Sequence, residues 1–76
     1  MVGKFFHSYK NGILEWQGRI IDRVGSQFLI QLYEWIGGTP SDQVIVSPEC
    51  MQGWKFYDDQ NDWLLAYEKY AARQTR

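Results

Sequence analysis

Up to residue 57 the hydrophobic positions mostly recur every second residue, and beyond it they recur every third or fourth. The first spacing predicts strands and the second an amphipathic helix. Lys4–Tyr9 is the first predicted strand, with Phe5, His7 and Tyr9 on one face and Lys4, Phe6 and Ser8 on the other. Asn11-Gly12 follows, a pair suited to a two-residue hairpin turn because both positions need positive φ. Ile13–Val24 is a long second strand whose even positions, Leu14, Trp16, Gly18, Ile20, Asp22 and Val24, supply the core face for most of its length. Gly18 interrupts that face, and a glycine inside a strand predicts a bulge or sharp bend. Such a kink lets one strand serve two sheets of a small barrel.

The third predicted strand is Gln27–Ile36, with Phe28, Ile30 and Leu32 facing the core. Leu29, Tyr33 and Trp35 share the other face with Gln27 and Gln31. Gly37-Gly38-Thr39-Pro40-Ser41 breaks the pattern. Gln43–Ser47 is a short fourth strand with Val44 and Val46 inward, and Ser47-Pro48-Glu49 opens a single helical turn. Trp54–Tyr57 is the fifth strand. Asp58 or Asp59 then caps a helix over about residues 59–73, whose stripe is Trp63, Leu64, Tyr67, Tyr70 and Ala71. The pattern predicts a mainly β fold: a small five-stranded barrel, closed or nearly so, over about residues 3–57, followed by a C-terminal α-helix. The helix is expected to cover an open end or an exposed edge.

Length makes this a single domain, residues 1–76. So short a chain buries only about 60% of its unfolded surface, so the core needs large side chains or a partner subunit. Four Trp, five Tyr and four Phe meet that need. They exceed what one small core holds, which leaves rings for an interface. One cysteine excludes an internal disulfide, and with one histidine it leaves no soft metal cluster. No apolar run is long enough for a spanning helix, and the start lacks the apolar stretch of a secretory signal. A cytoplasmic protein is the expectation. The net charge of -1 argues against a strongly basic nucleic-acid module. The charge is uneven: residues 34–68 sum to -6 and residues 69–76 to +3. The ends can form a basic face only if the fold brings them together.

No catalytic constellation stands out. His7 reads as a surface or partly buried strand residue and Cys50 as a small buried hydrophobe. Asp58-Asp59-Gln60-Asn61-Asp62 fails as a calcium loop, because Trp63 stands where a glycine is needed and Lys69 where a glutamate is needed. Gly37-Gly38 lacks the lysine and helix start of a phosphate loop. The expectation is a non-enzyme with no cofactor and no metal.

The strand order, with one short turn before the last strand, resembles the SH3-like barrel, which includes Tudor, chromo-like and Sm-like domains. Trp16-Gln17-Gly18-Arg19-Ile20 also resembles the Trp-Gln-Gly-x-Ile strand of the type II dihydrofolate reductases. Those are short SH3-like barrels that work as tetramers around a shared pore. Their later Val-Gln-Ile-Tyr strand supplies pore contacts, and here the nearest segment is Asp42-Gln43-Val44-Ile45, with Ile45 in place of the tyrosine. That resemblance implies an oligomeric reductase as a lesser reading.

In SH3-like and Tudor-like modules, aromatics near the loop ends line grooves or cages. That makes Tyr33 and Trp35 candidate binding residues, with Tyr57 and Tyr9 if they share the side. The competing assignment is that Tyr33 and Trp35 pack beneath the C-terminal helix. The function expected is a small binding module for a protein partner or for self-association. The alternative is a nucleic-acid-binding barrel, for which Arg19 would join Lys4, Lys10, Arg23 and Lys55 on one face.

Overall fold

The computed structural model describes residues 2–34 and 38–74, except the side chain of residue 74. Trp35, and with it the end of the expected third strand, lies outside the described residues. Five antiparallel strands form one sheet: β1 (Phe5–Lys10), β2 (Ile13–Val24), β3 (Gln27–Tyr33), β4 (Pro40–Val46) and β5 (Lys55–Tyr57). A 3₁₀ turn, Pro48–Met51, separates β4 from β5, and α1 (Gln60–Gln74) ends the described chain. The spatial order is β4-β3-β2-β1-β5. The fold is mainly β with a C-terminal helix, as the periodicity predicts.

The barrel does not close. β4 and β5 stand at opposite edges of the sheet and do not pair with each other. β5 has only three residues, all paired to β1. Side chains seal the inner core instead: Met51 from the 3₁₀ turn is buried, and Trp54 stacks on Phe6 with ring centroids 4.5 Å apart. Phe6, Ile20, Ile30, Val46 and Met51 form this core, with Phe28, Leu32 and Val44 packed against it. Fully burying a side chain such as Phe6 or Ile30 contributes about 1.5–3 kcal/mol.

The β1–β2 hairpin turns through Asn11 and Gly12, both at positive φ (54° and 77°) as its turn type requires. The strict alternation expected along β2 does not hold. Register shifts leave Glu15 and Ile21 without cross-strand partners, and each extra residue reverses which face the following side chains occupy. Leu14 therefore shares a face with Gln17 and Arg19, opposite Tyr9, His7 and Phe5. Trp16, expected in the core, is 42% exposed at the rim. The bends lie at these two bulges, on either side of Gly18. Gly18 has another role: an added Cβ would lie 2.1 Å from the Gln31 carbonyl oxygen and 2.9 Å from the Phe6 ring.

The bulge at Glu15 also helps dock the helix. A bulge breaks the ladder and leaves neighbouring backbone donors to be satisfied elsewhere. The Trp16 N–H donates to Ser8 Oγ at 2.9 Å, and the Leu14 N–H donates to the Tyr70 hydroxyl of α1 at 3.0 Å. Asp59 caps α1, its carboxylate accepting the Asp62 N–H at 2.9 Å. Asp58 instead bonds to Lys4.

Candidate functional site

α1 lies over the outer face of the sheet, and β1 is consequently buried on both sides. Phe6 points into the inner core while His7 is sealed beneath the helix, both at 0% exposure. Trp63 is the anchor. It is 3% exposed, and its indole N–H donates to the Phe6 carbonyl at 3.0 Å. Around it are Phe5 at 5.0 Å, Tyr33 at 5.6 Å edge-on, and the His7 ring, stacked at 5.8 Å. An aromatic layer between helix and sheet is a second core, separate from the inner one.

Beside this layer the helix and sheet diverge into a cleft of about 550 Å³, within the range of ligand pockets. Phe5, Gln17, Arg19, Tyr33, Trp63 and Tyr67 line it, with Glu68 at its lip. Two polar groups are held in place. Gln17 is buried and donates its amide N–H to the Glu34 carbonyl at 3.1 Å. The Arg19 guanidinium sits 5.2 Å from the Phe5 ring centre, and its Nε–H donates to the Gly3 carbonyl at 3.3 Å. This leaves the positive charge of Arg19 at the surface, backed by an aromatic face.

Of the residues the sequence nominates, Arg19 and Tyr33 meet in this cleft. Tyr33 also packs on Trp63, so the groove and helix-packing assignments merge at that residue. Tyr9 and Tyr57 lie farther along the same sheet face, each in edge contact with His7. The basic face expected of Lys4, Lys10, Arg19, Arg23 and Lys55 does not form, and Lys10 lies on the face opposite Arg19. Lys4 is tied to Asp58, and the bulge at Ile21 puts Arg19 and Arg23 on opposite faces. Phe5, Gln17, Trp63 and Tyr67 belong to the cleft without having been nominated. The helix stripe signals Trp63 and Tyr67, and the helix-packing assignment names the face of Tyr33 beneath them, but nothing in the sequence brings Phe5 and Gln17 to that face.

No protein-family model, curated protein or solved structure matches the chain. Its chemistry is therefore read from its own residues. Cys50, expected to be buried, is exposed on the 3₁₀ turn, where Met51 takes the inward position. Gln43 and Ile45 project from the edge strand β4, and Gln43 donates its amide N–H to Gln31 Oε1 at 3.0 Å.

His7, expected at or near the surface, is the most constrained titratable group. Its Nδ1 lies 3.3 Å from the Tyr57 hydroxyl, which can donate to it, and its Nε2 has no hydrogen-bond partner. Burial lowers its pKa to about 4; the cross-strand Gln17 side chain opposes this, although that contact falls short of a hydrogen bond. Burial and then the neighbouring Tyr9 push Tyr57 up to about 12. Between the ordinary histidine value of 6.5 and about 4, the unfolded chain binds a proton that the folded chain does not. Stability therefore falls as the pH drops through that window and levels off below it, by about 3 kcal/mol in all. Asp58, held below the usual carboxylate range by Lys4, adds a further loss only at lower pH, as it protonates. Urea midpoints measured between pH 7 and pH 4 should show the decline, and His7→Phe should flatten it.

Proposed function

We propose that the chain is a small non-catalytic binding module that takes a segment of a protein partner into the cleft between α1 and the outer sheet face. The observation that carries this reading is the cleft's composition: four aromatic walls with one guanidinium and one carboxylate at the opening. Aromatic and arginine side chains are the usual anchors of protein interfaces. Rings held against a buried Trp63 lose little freedom on binding, which lowers the entropic cost of recognition. The segment that fits is one presenting an aromatic side chain next to a carboxylate, the ring against Tyr33 and Tyr67 and the acid on Arg19.

A random peptide library selected on immobilised protein tests this. Recovered peptides should carry that pairing, and Arg19→Glu should weaken them at least about tenfold, the scale of an interface anchor. Arg19 is exposed, and far-UV circular dichroism checks that the variant is folded. Peptides that bind Arg19→Glu as well as the unaltered protein would overturn the proposal.

A further inference from the structure

A second surface, at the other end of the helix, has different chemistry. Lys55 of β5 and Lys69 and Arg73 of α1 open onto a groove of about 440 Å³ whose aromatic walls are Tyr9 and Tyr70. Gly12 and Gly53 contribute bare backbone, and none of the described residues lining the groove is acidic. Lys55, Lys69 and Arg73 make no ion pair or side-chain hydrogen bond among the described residues. Asp59 caps the opposite pole of α1 and Asp62 sits in its first turn, while Glu68, the other acid of the helix, lines the cleft and not this groove. Favourable interaction with the helix dipole accounts for Arg73 in the last turn, but not for Lys55, which comes from a different element. Lys55 pairs in register with His7, which places it on the helix side of the edge strand.

We infer that this groove binds single-stranded nucleic acid, with Lys55, Lys69 and Arg73 on the phosphates and Tyr9 and Tyr70 beside the bases. Charge complementarity selects a polyanion, because three cations converge with no counter-charge among the described residues of the groove. The aromatic walls select a strand with accessible base faces, which a duplex hides in its stack. The chain's net charge of -1 does not oppose this, because none of the described residues that line the groove is acidic. The groove shares no lining residue with the cleft of the proposed function.

Fluorescence anisotropy of a labelled oligothymidylate, titrated at several salt concentrations, tests the inference. Three phosphate contacts on a single strand predict a logarithmic salt slope of about -2. Lys69→Gln with Arg73→Gln should bring the slope to about -0.7 and weaken low-salt binding about tenfold or more. Both positions are exposed on the helix, and far-UV circular dichroism confirms that the variant is folded. Arg19→Glu should leave the salt slope at about -2, separating the groove from the cleft. The inference is overturned by no binding at low salt, or by binding the double variant retains. Equal or tighter binding of a duplex, or of inorganic polyphosphate, would overturn it as well.

Discussion

Gly18→Ala should leave the chain without a stable fold, and Gly18→Val should do the same. The added Cβ would sit 2.1 Å from the Gln31 carbonyl oxygen, far inside contact distance, and that oxygen is backbone in the centre of β3. Relief requires β2 and β3 to separate where the sheet is most tightly paired. Overpacking a core ordinarily costs about 1–3 kcal/mol, and a clash between two central strands exceeds that range. The Phe6 ring also lies over Gly18, so the inner core would lose its packing at the same point. Gly25→Ala is the comparison: nothing lies near its Cβ, and only the positive φ of 63° is strained, at about 1–2 kcal/mol. Urea unfolding should give Gly25→Ala a lowered midpoint and Gly18→Ala no cooperative transition. A cooperative transition for Gly18→Ala at the unaltered midpoint would show that the strands are not so close.

The second large effect belongs to Trp63. Trp63→Ala should cost about 3–5 kcal/mol through lost burial and the cavity left behind. It also leaves the Phe6 carbonyl without the indole donor, at a point where water is excluded. His7, Phe5 and Tyr33 lose the ring they pack against, so α1 should detach while the inner core keeps its own contacts. Trp63→Phe separates the two contributions: it keeps most of the burial and removes the hydrogen bond, for about 1–3 kcal/mol. Thermal unfolding followed by far-UV and near-UV circular dichroism measures both variants. A shift for Trp63→Ala no larger than that of an exposed Leu65→Ala would contradict the assignment of Trp63 as the anchor of α1.

The elements were legible because each carries its own local signal. The Asn11-Gly12 turn, the inward Phe28, Ile30 and Leu32, the Pro48 turn and the Asp59 cap all follow from backbone and side-chain preferences acting over a few residues. Two things were not legible. The bulges at Glu15 and Ile21 are set by pairing with β1 and β3, and no residue type at those positions announces them. Once they are missed, Leu14 and Arg23 fall on the wrong faces, and so does any basic surface built on Arg19 and Arg23. The second unreadable feature is the docking of α1. Its stripe shows that Trp63, Tyr67 and Tyr70 seek a surface, but the choice of the outer face over β1 is a tertiary outcome. Hence His7 becomes buried although its own strand gives it an ordinary alternating position. The cleft inherits both difficulties, since half its lining comes from the helix and most of the rest from the bulged β1–β2 pair.

The central claim is that the cleft between α1 and the outer sheet face is where a partner segment binds. Two-dimensional ¹H–¹⁵N NMR of the labelled protein, titrated with a library-selected peptide, tests it most directly. The account predicts saturating shifts at the Arg19 Nε–H, the Trp63 indole N–H, the Gln17 side-chain amide and the Tyr33 backbone, with Ile45 and Lys55 unmoved. Shifts confined to the β4 edge or to the groove around Lys69 and Arg73, with Arg19 and Trp63 unchanged, would contradict it.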